Sequence, residues 1–274
     1  MKLITFSTND GRPRPGVLEE QTVIDISAQG YIDLLSVIAA GTLPAANGEK
    51  YALDAVRLLA PLPNPPRVFG IGLNYRDHAI ESGMKIPETP VVFLKLNSSI
   101  VGPDAPVVLP HNSKEVDYEA ELAVVIGMGG YRIPAAEAMR HVFGYTIVND
   151  VSARDIQLAT SQWTMGKSFP TFCPIGPSIV TADEIADPHK LDITLRIDGE
   201  VLQDSNTREL IFGIPALIEY LSSITPLEPG DIISTGTPPG VGLGRTPRRW
   251  LKPNETMTIE IDKVGLLSNP VVAE

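Results

Sequence analysis

Two acidic stretches carry side chains of the type and spacing that bind a metal ion. Between Val116 and Gly127, Asp117, Glu119 and Glu121 alternate with Tyr118, Ala120 and Leu122, and Ala123, Val124, Val125 and Ile126 carry the run on without a turn signal. The pattern predicts a strand. Because strand side chains alternate with period two, all three acids are expected on one face, their Cβ atoms roughly 7 Å apart. Like charges so placed need bulk water or a cation beside them. The second stretch, Gly144 to Asn149, also reads as a strand and ends on Asp150, after which Val151 to Gln157 reads as a helix start. Glu119, Glu121 and Asp150 offer hard oxygen donors, which suit Mg²⁺, Mn²⁺ or Ca²⁺ and leave positions open for a bidentate substrate or water. Zinc prefers His or Cys, and neither clusters here. The plainer alternative puts the first three acids on the solvated face of an edge strand and leaves Asp150 as a helix cap.

A candidate base lies upstream. His78 and Glu81 are three residues apart in the segment Leu73 to Gly83, so on a helix they share a face and the carboxylate can orient the imidazole. That pairing is what a general base requires, although a lone His near a helix surface is more often simply solvated. Gly70 and Gly72 on one side and Gly83, Pro87 and Pro90 on the other bound the segment, which predicts a short piece able to move as a lid. Arg154 and Lys167 supply positive charge near the second acidic stretch and could hold a substrate carboxylate, against the commoner fate of a surface salt bridge. Lys167 sits in a loop punctuated by Gly166 and Pro170. The loop Thr237 to Gly244 is glycine-rich but lacks the Gly-Lys-Ser/Thr ending of a P-loop, and its amides and Thr237 could approach a small anion.

These residues need a scaffold of short strands. Lys2–Ser7 and Val17–Ile26 read as strands around a turn at 9–13, followed by a helix over Tyr31–Ala40 with Ile32, Leu35 and Ile38 on its apolar face and Gly41 as its stop. The run Ala60 to Pro66 contains four prolines and can be neither helix nor central strand. It marks the boundary between a small N-terminal α+β unit, residues 1–62, and a larger unit, 67–274. In the larger unit, Arg67–Gly72, Val91–Leu96 with Lys95, Val107–Leu109, Ile232–Gly236 and Met257–Ile261 read as strands. Arg132–His141 and Ile211–Ile224 read as helices, and Asp198-Gly199 as a hairpin turn.

Whole-chain properties narrow the class further. A 274-residue chain can bury a substantial core, and a formal charge of −11 argues against nucleic acid or an anionic membrane surface as the main partner. The one cysteine, Cys173, excludes an intramolecular disulfide, suits a reducing cytosol and reads best as a small apolar filler. Met1 to Gly16 lacks the apolar run of a secretory signal, and no window reaches the length of a membrane span. The expectation is a soluble, cytoplasmic enzyme.

Taken together, Gly72-Leu73-Asn74-Tyr75 with His78 and Glu81, Asp117 to Leu122, Asn149 to Gln157, Gly166-Lys167-Ser168-Phe169 and Thr235-Gly236-Thr237-Pro238 stand in the order of the fumarylacetoacetate hydrolase family. Over about residues 67 to 270 the chain resembles its short microbial branch, which includes acylpyruvate and fumarylpyruvate hydrolases, oxaloacetate decarboxylases and hydroxy-heptadienedioate isomerases. The resemblance implies a β-rich α+β fold with a mixed β-roll core, usually a homodimer, and a place in the catabolism of aromatic compounds. It assigns Glu119, Glu121 and Asp150 to Mg²⁺ or Mn²⁺, with Ca²⁺ as a substitute, and leaves Asp117 without a metal role. His78 and Glu81 become the water-activating dyad, and Arg154, Gln157, Lys167 and Thr237 bind substrate. Pro170, where many relatives carry Asp, and the arginine-rich segment 245–250 are expected to shape the substrate pocket. The N-terminal unit is too short for the leading domain of fumarylacetoacetase itself.

The reaction this implies first is hydrolysis of a carbon–carbon bond in a 2,4-diketo acid. The metal would chelate the 1-carboxylate and 2-keto oxygens, His78 would activate a water against the 4-keto carbon, and Lys167 would help stabilise the oxyanion. The rival on the same site is oxaloacetate decarboxylation, or isomerisation of a 2-hydroxy-diene-dioate. From another class, the chain could be a non-catalytic binder of 2-oxo acids.

Overall fold

The computed structural model describes all residues except Ser82 and Met84, so Ser82 of the segment 73–83 lies outside the described residues. The architecture is the expected β-rich α+β type, built on two large sheets. The larger runs Lys50–Ala52, Thr22–Asp25, Arg14–Glu19, Lys2–Ser7, Cys173–Thr181, Val142–Asn149, Ala120–Ile126, Ile232–Ser234, Val68–Gly72, Val91–Lys95. All neighbours on this path are antiparallel except Ile232–Ser234 and Val68–Gly72, which are parallel. The second sheet orders Glu200–Asn206, Asp192–Ile197, Thr256–Ile261, Gly265–Ala273 and Val107–Leu109.

The strand Ala120–Ile126 lies at the centre of the larger sheet and every residue of it is buried. Ala120, Leu122, Val124 and Ile126 join one core with Ile193, Leu195, Ile259 and Leu267 of the second sheet. Ala123 and Val125, on the opposite face, pack with Leu34, Val37 and Ile38 of the N-terminal helix. Both faces are thus covered, and the run is apolar for that reason, which excludes the solvated edge strand.

Several local expectations need correction. The N-terminal helix spans Leu34–Ala39 and starts at the capping box of Asp33 and Ser36, so Ile32 falls outside it and is 81% exposed. Its buried face is Leu34, Val37 and Ile38. Val17–Ile26 is two strands, split where Glu20 takes a φ of 51°. No long helix forms over Arg132–His141: Arg132 has a φ of 57°, and only a 3-10 turn over Ala138–His141 remains. Lys167 lies at the end of a helical turn, Thr164–Lys167, rather than in an irregular loop. By contrast, the hairpin at Asp198-Gly199 is where the pattern put it, and the helix expected over Ile211–Ile224 forms over Ile214–Ile224. The strand Gly265–Ala273 was not foreseen.

Strands from the first 62 residues pair with later ones, for Lys2 and Leu3 lie opposite Val180 and Ile179. Among the described residues, no helix is long and apolar enough to cross a membrane. Cys173 is fully buried in the second core, and burial pushes its thiol up to about 12. Native protein should therefore leave Ellman's reagent uncoloured at neutral pH, and denatured protein should release one equivalent per chain. A reactive thiol in the native state would contradict this burial.

Candidate active site

Register explains how three acids meet. Ala120 pairs with Asn149 and Glu121 with Val148, and the Asp150 amide donates to the Glu119 carbonyl at 2.9 Å. Glu119 therefore stands opposite Asp150 on the neighbouring strand, with Glu121 two residues along on the same face. One oxygen from each of Glu119, Glu121 and Asp150 falls within 4.8 Å of the others, and all three side chains are buried. A single hard cation could reach all three at roughly 2.0–2.5 Å, and an all-oxygen donor set fits Mg²⁺, Mn²⁺ or Ca²⁺ better than zinc.

Asp117 departs from the expected row. The strand is interrupted after it, and its carboxylate accepts from Arg154 Nε at 2.9 Å, from the Gly242 amide at 2.7 Å and from the Leu243 amide at 3.0 Å. It anchors the loop 237–244. Gly242 is required there, since a Cβ would lie 1.8 Å from the Arg249 carbonyl.

Three buried cations stand against four buried acids. Lys167 Nζ donates to Glu119 Oε2 at 2.8 Å and to Asp150 Oδ2 at 2.7 Å, while Arg154 pairs with Asp117 and, at 2.6 Å, with Glu119 Oε1. Lys95, at the end of its apolar strand, reaches Asp150 Oδ1 at 2.5 Å. Burial works against the charge of Glu119, but Lys167 and Arg154 outweigh it and hold the carboxyl well below the usual range. Glu121 has the opposite fate, for burial first, then the charges of Asp150 and Glu119, push it well above. Its Oε2 is fixed by Ser234 Oγ at 2.5 Å and the Gly236 amide at 2.9 Å. With Glu121 ionised the four acids outnumber the three cations by one, and a bound cation would favour that ionised form.

A cleft enclosing about 450 Å³, part of it open to solvent, leads to these groups. His78, Glu119, Glu121, Arg154, Gln157, Lys167 and Thr237 line it, together with an apolar wall that includes Ile71, Leu158, Trp163 and Leu243. Seven of the expected residues therefore converge. Asp150 lies behind the lining, and Glu81 stands behind His78, with Oε2 at 3.6 Å from Nδ1. Both Glu81 oxygens accept from the Gly240 amide, at 3.2 and 3.0 Å. Burial raises the Glu81 carboxyl, but His78 and that amide outweigh it and hold it below its ordinary value. Gln157 Oε1 accepts from Arg154 NH1 at 2.9 Å, and the Thr237 hydroxyl donates to the Ala120 carbonyl at 2.9 Å and accepts from Gln203 at 2.8 Å.

Two expectations about the pocket fail. Pro170 lines a separate hollow with Val108, His111 and Glu274. The arginines of 245–250 brace loops instead: Arg245 donates to the Gly240 and Leu202 carbonyls, and Arg249 pairs with Glu255 at 2.8 Å. Sequence reasoning also missed Lys95, Ser234 and Trp163. A lone lysine inside the apolar run 91–96 was the available signal for the first, because a buried ammonium demands an anion.

Comparison with known proteins places the whole chain among relatives. Residues 67–272 match the model of the fumarylacetoacetate hydrolase C-terminal family, and residues 1–61 match an N-terminal family described as Rv2993c-like. A mitochondrial oxaloacetate tautomerase of Xenopus laevis is 43% identical over 289 residues, covering 99% of this chain and 90% of that protein. The crystal structure of a 2-hydroxyhepta-2,4-diene-1,7-dioate isomerase from Mycobacterium marinum superposes with a TM-score of 0.83 at 37% identity, covering 100% of this chain and 99% of that one. A fumarylacetoacetate hydrolase from Exiguobacterium antarcticum gives 0.90 at 38% identity over the whole of both chains. Matched by the family model over residues 67–272 and by relatives along its full length, the chain belongs to the fumarylacetoacetate hydrolase family.

Proposed function

We propose that the protein is a divalent-metal-dependent enzyme that interconverts the keto and enol forms of a 2-oxo acid of the oxaloacetate type. The observation that carries this reading is the convergence of Glu119, Glu121 and Asp150 within 4.8 Å at a cleft whose wall holds His78. Mg²⁺ or Mn²⁺ held by those three carboxylates supplies positive charge to the oxygen on which enolate charge develops. The residues do the rest. His78 takes the proton from the carbon next to the keto group and returns it to carbon or oxygen, and anionic Glu81 stabilises the imidazolium in between. Gln157, whose Oε1 is held by Arg154, keeps two N–H donors for the substrate carboxylate. Arg154 and Lys167 hold Glu119 in place and bring positive charge to the same end of the cleft, and Thr237 fixes the loop over it. The 43% identity to a tautomerase, against 38% to the full-length hydrolase, supports proton transfer ahead of hydrolysis. Two units, 1–62 and 67–274, and a homodimeric assembly belong to the same proposal.

Hydrolysis of an acylpyruvate is the second reading, favoured by the buried His78 with Glu81 at 3.6 Å, a pair equally able to activate water. Ultraviolet assays of oxaloacetate and a set of acylpyruvates, each with Mg²⁺ or with EDTA, separate the two. Accelerated keto–enol equilibration of oxaloacetate without pyruvate release is the expected result. Pyruvate release from an acylpyruvate would install the hydrolase, and metal-dependent binding without turnover of either would leave a binding protein.

A further inference from the structure

Each of the three triad carboxylates has one oxygen held by a protein group other than Lys167. Asp150 Oδ1 is held by Lys95 at 2.5 Å, Glu121 Oε2 by Ser234 Oγ at 2.5 Å and the Gly236 amide at 2.9 Å, and Glu119 Oε1 by Arg154 at 2.6 Å. The remaining oxygens are Asp150 Oδ2, Glu121 Oε1 and Glu119 Oε2. Lys167, which lines the cleft, donates to the first and third of them. A carboxylate oxygen has two lone-pair sites, so a lysine proton and a cation can share one.

Lys95 is the least expected member of this set. It is 3% exposed, is absent from the cleft wall, and contacts Asp150, the Lys167 carbonyl and, at 3.4 Å, the Val151 carbonyl. Three acceptors match the three protons of an ammonium. The residue thereby fixes the end of the strand carrying Asp150 against the end of the helical turn carrying Lys167.

We infer that Lys95 is a positioning residue that makes Asp150 a one-oxygen ligand, and that with Ser234, Gly236 and Arg154 it tunes the site for a small octahedral cation over Ca²⁺. Three single-oxygen carboxylates leave three of six octahedral positions for substrate and water. Ca²⁺ takes six to eight oxygens and often binds carboxylates through both; Glu121 Oε2, with both lone-pair sites taken by Ser234 and the Gly236 amide, refuses that, and Asp150 Oδ1 is held toward Lys95, which lies outside the cleft wall. The inference rests on the metal site proposed above.

The test is calorimetric titration of metal-free protein with Mn²⁺ and with Ca²⁺, in wild type, Lys95→Met and Ser234→Ala, with circular dichroism as the check on folding. Wild type is expected to bind Mn²⁺ roughly tenfold or more tighter than Ca²⁺. Lys95→Met frees Asp150 Oδ1 and also removes a positive charge, which favours both ions alike, so the Mn²⁺/Ca²⁺ affinity ratio should fall about 10–100-fold. Ser234→Ala should shift the ratio the same way but less, because the Gly236 amide remains, and it decides the matter if Lys95→Met does not fold. An unchanged Mn²⁺/Ca²⁺ ratio in the folded variants, or a wild type preferring Ca²⁺, overturns the inference. Binding of neither ion to wild type overturns the metal site itself.

Discussion

Glu119→Ala is expected to lose bound metal and activity together. With Glu119 present, Asp117, Glu119, Glu121 and Asp150 face Lys95, Arg154 and Lys167, and the balance is one charge negative when Glu121 is ionised. Removing Glu119 leaves three against three, takes away one of the three ligand oxygens, and frees Lys167 to concentrate on Asp150. Metal affinity should therefore fall by more than the roughly 10–100-fold that loss of an outer partner costs. Titration with Mn²⁺ followed by its electron paramagnetic resonance signal reads this directly. Unchanged binding in the variant would remove Glu119 from the ligand set.

His78→Ala should separate the two parts of the site. The imidazole contacts none of the triad in the hydrogen-bond pattern, and its carboxylate neighbour is Glu81, so metal affinity should remain close to wild type. Turnover should fall by roughly 10²–10⁴-fold, the usual contribution of a positioned acid–base group. The pairing of outcomes matters. A variant that keeps full turnover excludes His78 as the proton carrier, whereas one that also loses metal shows that the side chain supports the triad.

The grouping of the acids was largely legible in the sequence because it depends on short-range periodicity. A period of two places Glu119 and Glu121 on one face, and an acid at the end of a second strand is a natural partner for them. Register then did what spacing could not, since only the pairing of Ala120 with Asn149 puts Asp150 opposite Glu119. Asp117 looked equivalent to its neighbours, yet Arg154 and two amides of the loop 237–244 claim it, and those partners are 37 and more residues away. The lone lysine in an apolar run signalled Lys95, but its partner was hidden for the same reason: the anion lies 55 residues on. Local misreadings had local causes. Asp33 starts its helix one residue after Ile32, and a left-handed Arg132 ends a helix before it begins. The pairing of Lys2–Ser7 with Cys173–Thr181 leaves no local trace at all.

Deuterium exchange at the carbon beside the keto group of a 2-oxo acid, followed by proton NMR in heavy water, reports enolisation whether or not a bond is later cleaved. Oxaloacetate or an acylpyruvate should exchange faster than the uncatalysed rate with enzyme and Mg²⁺, and EDTA or His78→Ala should return it to that rate. Exchange at the uncatalysed rate by metal-loaded wild-type protein, across all these acids, would contradict enolate chemistry at the triad.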